Sequence, residues 1–322
     1  MFSIQKKKEN GFNKIILIDE QSGTVAEIVP ECAAMLHSFI VKKNGEAFNV
    51  IDSYESLEDF KNNVTEKGYK GCKLSPFVCR IRDSKYTFGQ QEYHLEKSIP
   101  AQHALHGELY DRSFELINEQ SDENSAFVTL RYDYNKEDPG YPFHYECIVT
   151  WTLEADNKIT VLTKCINKDE GLIPMQDGWH PYFHLGKRID ELYLEFQSME
   201  KVAFDNDLMP TGDLTEYDEF NSLKKIGETV FDNCFTLNHD TCQPMSVLRN
   251  SDDGIQVEIY PDRSYPYLQI YSPDHRKSIA IENLSGPPNA FNNGMEFQTL
   301  EPGSEVNYKV AYKVQLLNND HE

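Results

Sequence analysis

The chain is poor in positive charge: 31 Lys and Arg stand against 53 Asp and Glu, a formal charge of −22 over 322 residues. That balance repels nucleic acid and anionic membrane surfaces, whereas a neutral small molecule meets no such penalty. Acidic residues are spread along the chain without a long acidic tail, so the excess reads as a solubilising surface. The 7 cysteines are odd in number and form no C-x-x-C pair, which argues against a disulfide ladder or a zinc ribbon and fits a reducing compartment. Behind the lysines of MFSIQKKKENGF there is no apolar core or small-residue cleavage site, and no later run approaches the roughly 18 apolar residues of a membrane helix. A cytoplasmic protein is expected. G-x-S-x-G, a Walker-type loop and G-x-G-x-x-G are all missing, which leaves esterase, nucleotide and dinucleotide readings without support.

What is present is ordinary globular material, 39% hydrophobic with 12% aromatic residues, enough for a sizeable core. β-Branched and aromatic residues alternate in FVTLRYDY (127–134), ECIVTWTLE (146–154), KITVLTKCIN (158–167) and ELYLEF (191–196). Period-two alternation between Asn, Asp and Gly predicts antiparallel strands of a sandwich or barrel, with 155–158 as a hairpin loop. Helical patterning is scarce. Its best candidate is SLEDFKNNVTEK (56–67), a short surface insert that Ser56 would cap, with Asp59 three residues on. No repeat, Pro-rich linker or composition break divides the chain, so a single domain over 1–322 is expected, and the acidic stretch 205–225 reads as a long loop with turns at Pro210 and Gly212.

Five segments set ionisable residues beside glycine, proline or strand-like runs: SPFVCRIRD around Arg80, HALHGELYD around His106, DGWHPYFHLG around His180, FDNCF around Asp232, and AIENLSGPPNAFNNG around Glu282. Loops on a rigid scaffold are where functional side chains concentrate. His103 and His106, or His180 and His184, have spacings that would suit metal binding on helices. Pro181 after His180 and Gly107 after His106 oppose a helix, and two histidines lack a third ligand, so no metal is expected. Asp177 and Gly178 suggest a turn that exposes the segment, with Trp179, Tyr182 and Phe183 as flat faces for a sugar ring or a core. A carboxylate near His180 would bias it toward the protonated acid. Glu282 ends the run SIAI before a Gly-Pro-Pro loop, which would hold its carboxylate rigidly. Arg80 and Arg82 would share one face of a strand. Asp232 reads as a loop aspartate able to bind hydroxyls.

Taken in order, C-R-I, L-H-G, H-P-Y-F, F-D-N-C-F and A-I-E-N-L-S-G-P-P-N-A-F resemble the pattern of the aldose 1-epimerase (galactose mutarotase) family, from about Ile15 to near the C-terminus. The resemblance implies an all-β fold, a large antiparallel β-sandwich with few short helices. It implies a sugar cleft in which Glu282 takes the proton of the anomeric hydroxyl and His180 protonates the ring oxygen. It further implies that Arg80, His106, Asp232 and Gln269 contact the sugar, with no cofactor required. Cys79 departs from the usual Asn before the arginine, His103 from an Asn before L-H-G, Glu108 from the second glycine of L-H-G-G, and Phe114 from a tryptophan. These departures bear on substrate identity more than on chemistry. Alternative readings are a hexose-6-phosphate 1-epimerase, using cations among Arg80, Arg82, Arg112, Lys187 and Arg188, and a non-catalytic carbohydrate-binding sandwich. A glycoside hydrolase with Glu282 and an aspartate as its carboxylate pair is a further one.

Overall fold

Period-two burial builds the largest sheet. Along His144–Glu154 every second residue is buried, Tyr145, Cys147, Val149, Trp151 and Leu153 forming the inward row, as expected of a strand with one face on a core. The computed structural model describes residues 1–97 and 102–317. In it this strand lies in a nine-stranded antiparallel sheet, ordered Glu115–Ser121, Ser125–Asn135, His144–Glu154, Lys158–Asn167, Glu305–Leu316, Ile255–Pro261, Ser246–Asn250, Tyr193–Phe196 and Lys224–Lys225. The four sequence-predicted strands all fall in it. The turn after Glu154 carries Asp156 and Asn157 at φ of 61° and 54°, the left-handed region that Asp and Asn tolerate best.

A second, eight-stranded sheet faces the first. Its path runs Pro210–Glu216, Ser198–Phe204, Asp232–Leu237, Tyr267–Tyr271, Ile279–Leu284, Gly178–Trp179 and Lys73–Leu74, and Tyr182–Phe183 also pairs with Ile279–Leu284. The two sheets meet through aromatic contacts, Trp151 against Trp179 at 5.2 Å and Phe183 against Tyr312 at 5.5 Å between ring centroids. A five-stranded meander, Phe2–Glu9 through Glu46–Asn49, adds Leu17, Ile28 and Phe39 to the same core. The fold is an antiparallel β-sandwich.

Among the described residues the α-helices are Leu57–Asn63 and Ala290–Asn293. In the first, the Asp59 N–H donates to Ser56 Oγ at 3.1 Å, which is the expected cap. Among the described residues no helix is long and apolar enough to cross a membrane. The long loop expected over 205–225 is instead interrupted by strands Pro210–Glu216 and Lys224–Lys225. Pro210–Glu216 is a sheet edge with almost every side chain exposed, so it has no apolar alternation by which to be read.

Candidate active site

The same alternation gives the eight-stranded sheet two different faces. On Tyr267–Tyr271, Leu268 and Ile270 join the sandwich core, whereas Gln269 and Tyr271 line a pocket on the opposite side. On Ile279–Leu284, Ile279 and Ile281 face the core and Glu282 faces the pocket. Cross-strand register sets Gln269 beside Glu282 and Asp232 beside Tyr271. Asp232 opens strand Asp232–Leu237 rather than standing in a loop, and its Oδ1 accepts from Gln269 Nε2 at 3.0 Å.

His180 sits between Gly178–Trp179 and Tyr182–Phe183. Its N–H donates to the Cys72 carbonyl at 3.1 Å and its own carbonyl accepts from Gly71 at 2.8 Å. The Tyr182 ring stacks on the imidazole at 5.2 Å, 3° from parallel, and the edge-on His106 ring stands 5.0 Å away. The segment is not an exposing turn: Asp177 and Gly178 are buried, and Trp179 and Phe183 serve the core, leaving Tyr182 as the aromatic pocket wall. Asp177 lies outside the pocket lining. Its Oδ1 accepts from the fully buried Lys73 at 2.5 Å and from the Tyr265 hydroxyl at 2.6 Å. A carboxylate so deep requires such a partner.

Arg80 and His106 come from paired short strands, Arg80–Ile81 and Ala104–Leu105 with the residue that follows. The His106 N–H donates to the Cys79 carbonyl at 2.8 Å. Gly107, at φ 77°, lies so close to Ser75 that a Cβ would fall 2.3 Å from its carbonyl oxygen, so only glycine lets the chain carry His106 inward. Arg82 does not share Arg80's face. A 3-10 turn begins at Arg82, which pairs outside with Asp205 and Asp207.

The resulting cavity, about 310 Å³, is lined by all six sequence-predicted residues, His180, Glu282, Arg80, His106, Asp232 and Gln269. A hollow of about 800 Å³ beside the capped helix is larger but gathers no histidine or arginine. His180 Nε2 and Glu282 Oε1 are 3.3 Å apart. Burial lowers the His180 pKa to about 3, so the expected bias toward the protonated acid fails: lost solvation outweighs the backbone hydrogen bond that favours the charged ring. Burial, with Asp232 adding to it and Arg80 opposing, pushes the Glu282 carboxyl well above its usual range. Burial, then His180 and Arg80, hold His106 neutral.

Five polar atoms of the pocket-lining residues, Tyr69 Oη, His106 Nδ1, His180 Nδ1, Gln269 Oε1 and Glu282 Oε2, are buried without a hydrogen-bond partner among the described residues. Unpaired buried polar atoms cost about 1–3 kcal/mol each, a cost that a hydroxyl-rich ligand would remove. Sequence reasoning missed several wall residues. Tyr271 was accessible from Gln269 by i, i+2 alternation, and Cys79 adjoins Arg80, but nothing marked Thr65, Glu66 and Tyr69 beyond the capped helix. His103 accepts from the Asp83 N–H instead of entering the pocket. His184 is structural, its N–H bonded to Val50 and its ring against Phe48. Cys79, His106 and Glu282 bring a sulfur, a ring nitrogen and a carboxylate oxygen within 4.8 Å of one another.

A β-sandwich with a polar pocket of about 310 Å³ built around an imidazole–carboxyl pair defines the class. The family model described as aldose 1-epimerase matches residues 14–313, and the chain belongs to that family. It is accordingly an isomerase of the mutarotase type. The uncharacterized protein YihR of Escherichia coli (strain K12) is 29% identical, covering 72% of this chain and 75% of its own. The aldose 1-epimerase of Streptococcus thermophilus is 22% identical over 95% of this chain and 96% of its own. A solved galactose mutarotase-like protein from Clostridium acetobutylicum superimposes with TM-score 0.85 at 16% identity, covering 98% of this chain and 99% of that one, which shows the shared fold.

Proposed function

We propose that the protein interconverts the α and β anomers of a free aldohexose, with Glu282 as general base and His180 as general acid. The observation that carries this reading is the 3.3 Å approach of His180 Nε2 to Glu282 Oε1 inside a sugar-sized cavity. The anomeric hydroxyl and the ring oxygen share one carbon, so the groups serving them must be neighbours. The reaction needs Glu282 as carboxylate and His180 as imidazolium, a state that differs from the neutral pair by one proton passed across the 3.3 Å contact. The carboxylate takes the anomeric hydroxyl proton as the imidazolium protonates the ring oxygen, and the bond between that oxygen and the anomeric carbon breaks. Rotation of the aldehyde and closure with reversed proton roles yields the other anomer and restores the pair. Each positioned group contributes about 10²- to 10⁴-fold. Arg80, His106, Asp232 and Gln269 hold hydroxyls, and the permanent charge of Arg80 favours negative charge developing on oxygen. Residues 1–322 act as one domain in this reading.

A neutral sugar is favoured over a phosphorylated one. Of the cations considered from sequence, Arg80 alone lines the pocket, together with Glu66, Asp232 and Glu282. Arg82 is held by Asp205 and Asp207, Arg112 by Glu137, Lys187 by Asp252 and Arg188 by Asp190. The test is polarimetry or NMR on freshly dissolved α-glucose and α-galactose, free and as 6-phosphates. Faster equilibration of a free sugar is expected, and rates no different from spontaneous mutarotation for every common aldose would overturn the reading.

A further inference from the structure

Cys79 presents to the pocket a thiol, a poor hydrogen-bonding group for a sugar, and it is held at φ 49°, a region that few residues with a side chain adopt. Its sulfur, a ring nitrogen of His106 and a carboxylate oxygen of Glu282 lie within 4.8 Å of one another. Two of these donors carry independent signs of being available. His106 is 7% exposed and Glu282 1% exposed, yet His106 Nδ1 and Glu282 Oε2 have no partner among the described residues. Thiolate, imidazole and carboxylate together are a donor set for zinc-like cations, which take three protein ligands and leave a fourth position open. With metal–ligand bonds of about 2.0–2.3 Å, the three donors need only contract by small side-chain movements.

We propose that this trio is an inhibitory site for a soft divalent cation of the zinc type, sharing Glu282 with the sugar so that metal and aldose exclude one another. The inference rests on the sugar reading for its inhibitory half only. On binding, the Cys79 sulfur and a Glu282 carboxylate oxygen form bonds to the metal, and the proton each carries when protonated leaves to solvent. Glu282 is then a ligand and no longer a base. Neither histidine pair conspicuous in the sequence supplies the set, which joins residues 79, 106 and 282 across the fold.

The test uses the full-length protein with the exposed Cys242 replaced by serine to remove adventitious thiol binding. Zn²⁺ is titrated calorimetrically, and Co²⁺ is followed by its thiolate charge-transfer absorption. One cation per chain and a cobalt–thiolate band are expected. Cys79→Ser should abolish the band and weaken Zn²⁺ by at least about a hundredfold, the upper end of what loss of a mere supporting partner costs. His106→Gln, checked for an unchanged melting temperature, should weaken Zn²⁺ as well. A saturating aldose should displace the metal. Equal metal affinity in wild type and Cys79→Ser, or no cobalt band, overturns the site while leaving sugar turnover to stand or fall separately. Metal bound through Cys79 without any aldose effect or turnover overturns the sugar reading instead and leaves the metal site intact.

Discussion

Glu27 and Glu282 are both withdrawn from solvent, on different sheets, and their surroundings differ in one respect: the supply of partners. Glu27 Oε2 accepts from Lys14 Nζ and Ser38 Oγ, each at 2.9 Å, with His37 Nδ1 at 3.4 Å. Burial pushes its pKa up, but hydrogen bonds from His37, Lys14 and Ser38 prevail and bring it to about 2. Glu282 has an imidazole at 3.3 Å, a second oxygen with no partner, and a raised pKa. The first arrangement holds the chain together. The second leaves a buried polar atom unpaired, a cost that the proposed catalytic role of Glu282 would account for, and under that proposal the contrast separates structural from functional burial of the same chemical group.

The largest expected effect tests the functional side. Glu282→Gln and His180→Asn should each lower the anomerisation rate by about 10²- to 10⁴-fold, measured by polarimetry. Because the folded pKa of Glu282 lies above its unfolded value, ionisation favours the unfolded chain once the pH exceeds about 4.5. Glu282→Gln should therefore melt no lower than wild type at pH 7, with any gain fading as the pH falls below that value. A marked loss of melting temperature would erase the distinction drawn from Glu27.

Next comes the ion pair under the site. Lys73→Met strands Asp177 in the interior and should cost about 3–5 kcal/mol in denaturant unfolding. Since Lys73 adjoins the Cys72 carbonyl that holds His180, kcat should fall with stability. Glu27→Gln should cost about 1.5–3 kcal/mol, as for hydrogen bonds to a charged group, with kcat unchanged. That contribution is present above pH about 4.5 and disappears as the pH drops toward 2, where wild type and variant should converge in chemical denaturation. The smallest effect is Ser56→Ala, about 1 kcal/mol from the lost cap, read by thermal melting with kcat changed less than twofold.

Much of this was legible in the sequence because burial leaves a pattern there. The strands around 127–134, 146–154 and 158–167 alternate, and the Ser56 cap announces its helix. The edge strand Pro210–Glu216 was hidden because an exposed strand has no apolar row to betray it. At the site, the six residues from Arg80 to Glu282 carry recognisable segments, and they converge in one cavity. Lys73 carried no signal, since a lysine in CKLSPF reads as solvated until Asp177 is found beside it. The His180 environment was misread for a related reason: solvation is a property of the packed fold, and neighbours in sequence do not report it.

The wall formed by Thr65, Glu66, Gly68 and Tyr69 hangs from the short capped helix, whereas Glu282, Gln269 and Asp232 are fixed by sheet register. Gly68, at φ 78°, sits so close to Tyr182 that a Cβ there would lie 2.5 Å from its hydroxyl. Under the proposed function, breadth and reactivity are thus carried by separable parts. Exchanging the 65–69 segment offers a way to admit larger or differently substituted sugars while the proton-transfer machinery stays in register.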